Sequence, residues 1–314
     1  MSKAHFAASA DLYTEQAALR LLSIDGADSP PVAACSYTHD FGELPDAWCL
    51  RADPVHLHAD THGLLVFDCV SLAPGPEESQ ELAAALTDHL AQDGWTLRYG
   101  DKCRWYLLGE EQDLSGPAVC QIRMRHTGVS VLKGVDARQW TQRLNEIQML
   151  MATHPLNMQR QSARRKTINS LWLWGGGKAV SNATAFDAVV SENPAVLGAA
   201  AINHVKPVAA DSATQLLEQM KTGVSTCLVT LEHCRDAAAY TDCEAWNQAL
   251  EQLETNWFKP LLSALSEKQL DYIELLPLNG AVYRLTRHEL WKFWRNSRDY
   301  QALPGFRQAS AVRT

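Results

Sequence analysis

A chain of 314 residues, 46% of them hydrophobic, is long enough to bury a large core in one domain or two smaller ones. Its 28 basic and 36 acidic residues leave a net charge of -8, which excludes a global attraction to phosphate backbones or anionic lipid. No run approaches the roughly 20 apolar residues of a membrane-spanning helix, and Met1 to Asp11 lacks the pattern of a signal peptide. Neither nucleic acid nor membrane is expected as a partner, and a cytoplasmic location is expected.

In chain order, Tyr13 to Leu22 has helical spacing and is followed by Gly26 and the Pro30-Pro31 break, which predicts a short helix and then a loop. Trp48 to Leu57 and Leu64 to Val70 read as strands joined by a hairpin at Asp60-Thr61-His62-Gly63. Leu82, Ala85, Leu86 and Leu90 make Glu77 to Gln92 a helix that stops at Gly94. Trp95 to Tyr99 and Arg104 to Leu108 read as two more strands. That order predicts a compact α+β unit whose helix covers one face of a mainly antiparallel sheet.

The helical run Ala137 to Thr153 ends at His154-Pro155, because the residue before proline is pushed out of the helical region. Ser170 to Trp174, apolar and tryptophan-rich, reads as a buried strand of a parallel sheet, closed by Gly175 to Gly177. Downstream, Phe186 to Val190, Ser225 to Leu231 and Asp271 to Leu276 read as strands, and Asp211 to Thr222 and Cys243 to Ser266 as helices, the rhythm of a parallel α/β architecture. The eight cysteines include no C-x-x-C pair and read as free thiols in a reducing compartment. The cluster Cys227, His233, Cys234 and Cys243 matches no zinc spacing.

One tract is specific enough to suggest ancestry. His154-Pro-Leu-Asn-Met-Gln-Arg160, followed by Ile168-Asn169-Ser-Leu-Trp-Leu-Trp-Gly175, resembles a stretch of the cofactor-independent phosphoglycerate mutases of archaeal type that runs H-P-V-N-x-x-R and then A-N-x-I-W-L-W-G. Weaker likeness spans Asp53 to Asp60, Cys103-Arg104-Trp105, and Val229 to Leu265. The combination is also similar to the proteobacterial RpfE-type regulatory proteins. The resemblance implies the fold of the alkaline-phosphatase superfamily: a mainly parallel α/β sheet with helices on both faces and an inserted α+β domain. The expected division is an N-terminal helix and loop over 1–44, the insert-like domain over 45–135, a degenerate phosphatase-like core over 136–302 and a flexible tail over 303–314.

The mutases use a serine nucleophile and two divalent metals, which stabilise attacking and leaving oxygens together. Here the chain begins too close to the insert-like domain to hold the family's nucleophile motif, and Ser23-Ile24-Asp25-Gly26 has its serine on the wrong side of the aspartate. In the metal-binding segment the family's aspartate falls on Arg235 and its histidine on Ala239, leaving Glu232 and Asp242 in register. Leu276-Pro277-Leu278-Asn279 stands where the family has L-P-D-H. Metal affinity depends on ligand number, type and charge. The expectation is therefore a non-catalytic protein without metal or cofactor, in a regulatory or interaction role.

What the resemblance leaves is an anion pocket for a small phosphorylated metabolite, with Arg51, Arg104 and Arg160 as guanidinium forks and His58, Asn157 and Asn169 beside them. His154 and Asn157 have a second reading as groups that satisfy backbone at a helix end, and Trp172 and Trp174 read as core. The alternative is an active mutase or phosphatase with relocated ligands among His204, His233, Asp236 and Asp242. A third reading is a subunit that binds a protein partner or a copy of itself through Trp291 to Arg295, rich in residue types favoured at interfaces.

Overall fold

The structure, a computed structural model, describes residues 13–24, 30–61, 63–123, 126–127, 132–221, 223–278 and 281–290. Asp25, Gly26, Asn279, the Trp291 to Arg295 run and the 303–314 tail lie outside the described residues. The chain forms two compact units, Leu22–Ala185 with Glu192–Pro207, and Phe186–Ser191 with Val208–Thr314 and Met1–Leu21. The fold is mixed α/β with several sheets, and no described helix is long and apolar enough to cross a membrane.

The unit built around Leu22–Ala185 has a six-stranded sheet, formed by β1 (Trp48–Asp60), β2 (Gly63–Phe67), β3 (Thr96–Asp101), β4 (Arg104–Gly109), β5 (His126–Thr127) and β6 (Ser170–Gly177). The order is β3-β4-β1-β2-β5, with β6 also on β1. Every strand pairing in it is antiparallel. The hairpin at Asp60 to Gly63 forms as the sequence predicts, and the run to Val70 turns helical at Cys69–Leu72, where the Asp68 carboxylate caps by accepting from the Ser71 N–H.

β6 corrects an expectation. It is buried on both faces, as a parallel strand would be, yet it runs antiparallel to β1, with Asp53 opposite Trp172 and Arg51 opposite Trp174. Its burial comes from layers on both sides of the sheet. Alternation along the strands sends Trp48, Leu50, Ala52, Trp105, Leu107, Leu171 and Leu173 to one face, where they pack with Leu82, Leu86 and Leu90 of helix Pro76–Gln92 and Trp140, Ile147 and Met151 of helix Ala137–Ala152.

Helix Val32–Phe41 lies against the other face, where Ala33, Ala34 and Tyr37 pack with Cys49, Tyr106 and Leu108. The sequence predicts a loop there, and the reason is physical. Its first seven residues are all buried, so no polar stripe gives the run a helical period. Helix Pro194–Ile202 crosses it so closely that a β-carbon at Gly198 would fall on the Cys35 carbonyl oxygen.

In the other unit, Ala188–Val190 and Cys227–Val229 pair in parallel, as the sequence leads one to expect. Val208, Ala213, Leu216, Leu253 and Trp257 complete their core. The long helix expected over Cys243 to Ser266 is three segments, α over Cys243–Leu253, π over Glu254–Phe258 and α over Lys259–Ser266. Pro260 has no N–H to continue the ladder and its ring crowds the preceding turn. The strand expected at Asp271 to Leu276 forms as Tyr272–Leu275, in a separate antiparallel hairpin with Tyr283–Thr286.

Two cysteines depart from the free-thiol expectation. Cys69 and Cys103 are joined in a disulfide across 34 residues, tying helix Cys69–Leu72 to the turn between β3 and β4. A spacing of that length carries no sequence signature, because only the fold brings the two together. On the chain-entropy view the bond stabilises by about 2–4 kcal/mol. Urea melts of the wild type with and without reductant, and of Cys103→Ser, will show that loss; equal midpoints in all three would mean that the bond is not formed in solution.

Candidate functional site

The sheet face beneath helix Val32–Phe41 carries charge. Residue 51 lies opposite Tyr106 on β4 and Trp174 on β6, so the register brings an aromatic ring to each side of the Arg51 guanidinium, at 5.7 and 5.2 Å to the centroids. Asp53, two residues on and therefore on the same face, accepts from Arg51 Nε at 2.8 Å and from Trp174 Nε1 at 2.7 Å. Arg51 Nη1 also donates to Ser36 Oγ at 3.4 Å. Burial pushes the Asp53 carboxyl up, against the opposing pull of Arg51 and Trp174.

Arg104 stands on the same face. Its Nε and Nη2 donate to the two carboxylate oxygens of Asp40 at 3.0 and 2.9 Å, a bidentate fork, and Tyr106 Oη donates to Asp40 Oδ2 at 2.6 Å. Asp40 arrives from the last turn of helix Val32–Phe41, just before the left-handed cap at Gly42. Burial raises the Tyr106 hydroxyl well above its ordinary value, so it stays a donor to that carboxylate.

Arg160 is on the side that carries helix Pro76–Gln92. It is buried and fully engaged: Nη1 donates to both Glu78 oxygens at 2.9 Å, Nη2 to the Leu72 carbonyl at 2.7 Å and Nε to the Lys166 carbonyl at 2.6 Å. Asn157, also buried, donates to the carbonyls of Met151 and Ile168 and accepts from the Ile168 N–H. His154 Nδ1 accepts from the Leu156 N–H at the start of helix Pro155–Ser162. Asn169 places its side-chain amide against both the N–H and the C=O of Leu57, extending the β1–β6 ladder by a side chain. His58 is exposed near the end of β1, its ring stacked against that of His56 at 6.5 Å. Trp172 and Trp174 are buried.

Of the six residues the sequence singles out, the structure brings Arg51 and Arg104 onto one surface. Asn157 and Asn169 satisfy backbone, and Arg160 and His58 stand elsewhere. Asp40, Asp53 and Tyr106, which complete the charged face, escape a sequence reading. The available signal was Asp40 itself, an acidic side chain in a last turn, where the helix dipole disfavours negative charge.

In the other unit, the Arg235 guanidinium donates to Glu232 at 2.5 Å and to Glu15 at 2.9 Å. A fixed organic cation thus sits between two carboxylates. Asp242 caps helix Cys243–Leu253 by accepting from the Ala245 N–H. Among the described residues no three His, Cys, Asp or Glu side chains gather as metal ligands would.

No protein-family model matches the chain, and no curated protein does. Among solved structures it is similar to the cofactor-independent phosphoglycerate mutase from Thermoplasma acidophilum DSM 1728, at 15% identity and TM-score 0.38, over 77% of this chain and 72% of that one. It is also similar to the PH0037 protein from Pyrococcus horikoshii, at 10% identity and TM-score 0.40, over 78% of this chain and 65% of that one. Both are distant likenesses in the course of the chain.

Proposed function

We propose that the protein is a non-catalytic relative of the phosphoglycerate mutases with a regulatory or interaction role, of the kind carried by RpfE-type proteins, and that its ligand is a small phosphorylated carboxylate. The observation that carries the reading is Arg235. Two carboxylates that could help hold a divalent ion are bridged by a guanidinium, and an arginine does not ligate a metal, being charged at every accessible pH. Asp242, the other acidic residue in register with the mutase ligands, is engaged as a helix cap. A protein partner or a second copy of the chain is the natural recipient of the signal.

Turnover and metal content test the reading. Protein incubated with manganese and then desalted will hold no stoichiometric metal by elemental analysis and will give flat traces in coupled mutase and phosphatase assays, while calorimetry with 2- and 3-phosphoglycerate will register binding. Activity that disappears on mutating His233, Asp236 or Asp242 would establish the opposite, an enzyme with relocated ligands.

A further inference from the structure

Each candidate arginine already holds an internal carboxylate, Asp53 on Arg51, Asp40 on Arg104 and Glu78 on Arg160. The three pairs differ in how the carboxylate is delivered. Asp53 belongs to the same strand as its arginine, and the Arg160 side chain is 2% exposed and held by two carbonyls as well. Arg104 is 22% exposed and its carboxylate comes on a separate helix, 64 residues earlier in the chain.

Four features make the Asp40 seat resemble a receptor for a free carboxylate. The arginine fork is bidentate and the tyrosine hydroxyl adds a third donor, the donor set by which proteins recognise planar anions. Gly100 leaves room for it, since a β-carbon there would come within 2.5 Å of Asp40 Oδ2. The aspartate stands where its own helix dipole repels it, so the contact is favoured by the seat and not by the helix. Beyond Phe41 the chain runs through Gly42 in the left-handed region into exposed Glu43 and Leu44, so past the rings of Tyr37 and Phe41, which pack on Tyr106, and Arg98, stacked on Phe41 at 4.6 Å, this seat is the last hold of the helix end on the sheet.

We propose that Arg104, Tyr106 and the space above Gly100 form a latent carboxylate-binding site that Asp40 keeps closed, and that an external carboxylate opens the end of helix Val32–Phe41 by taking Asp40's place. The proposal rests on reading the protein as a responder to a phosphorylated carboxylate, and it names how that response begins. A ligand that pairs equally with the open and closed forms would shift nothing; here the two forms differ because only the open one offers the fork.

Formate and acetate are the probes, each against chloride at equal ionic strength. In Asp40→Ala the seat is vacant, and millimolar formate is expected to raise the melting temperature by several degrees and to bind at least tenfold more tightly than to the wild type. The gain should vanish in Asp40→Ala/Arg104→Met. Asp40→Asn, close in shape, guards against a variant that fails to fold: 3-phosphoglycerate should speed hydrogen exchange of amides 36–44 in it at roughly a tenth of the concentration the wild type requires. Folded Asp40→Ala blind to formate, or Asp40→Asn with exchange unmoved by the ligand, overturns the proposal. The formate response of Asp40→Ala depends on neither turnover, metal content nor phosphoglycerate binding, so this proposal and the functional reading fail separately.

Discussion

Arg160→Met will lower the stability of the unit built around Leu22–Ala185 by about 3–5 kcal/mol, the cost of breaking a buried ion pair by removing one partner. Methionine fills much of the stem's volume, so the loss isolates the guanidinium. Without it the Glu78 carboxylate loses its fork and the carbonyls of Leu72 and Lys166 lose their donor. Those groups come from a helix start, a short helix end and the turn before β6, so one side chain joins three separate segments.

The same pair gives the stability a pH dependence of known sign. Burial pushes the Glu78 carboxyl up, but hydrogen bonds from Arg160 and from the Gly75 N–H, with the charges of Arg160 and Arg165, hold it below the ordinary carboxylate range. A depressed folded-state value contributes stability that is whole above the ordinary pKa of about 4.3 and is lost as pH falls from there through the folded value. Urea midpoints at pH 7, 5, 4 and 3 should fall less steeply in Arg160→Met than in the wild type. Parallel slopes would show that Glu78 does not carry the acid sensitivity.

Gly198→Ala will destabilise by about 3 kcal/mol, the upper end of the usual range for overpacking, although alanine is worth about 1 kcal/mol over glycine in a helix interior. Sterics reverse the sign. The new β-carbon points at the Cys35 carbonyl of the crossing helix, and backbone cannot swing away as a flexible side chain could. Chemical denaturation settles the sign directly, and a variant as stable as the wild type would mean that the helices stand further apart.

What the sequence made legible follows from where each signal resides. Helix Ala137–Ala152 has a buried stripe of Trp140, Ile147 and Met151 and a proline stop, both local, and its boundaries came out within a residue. The hairpin of β1 and β2 was equally local. The direction of β6 was not, because burial on two faces makes parallel and antiparallel strands read alike, and the deciding partner lies more than a hundred residues upstream. In the candidate site, Arg51, Arg104 and Arg160 were visible as arginines, but a one-dimensional reading counts charges without showing which are already matched. Asp40 and Glu78 match two of them from distant segments.

The length of β1 has a consequence for how the chain is made. Its two ends pair with β2 and β4, but the edge from Cys49 to Val55 waits for β6, and Leu57 and Asn169 are 112 positions apart. At about 5–20 residues per second of synthesis, the strand spends roughly ten seconds on the ribosome beside an empty edge, when it is most open to mispairing with another chain. Arg51 and Asp53 are two residues apart on that strand and paired, so the unfinished edge carries a matched pair of charges among its apolar residues.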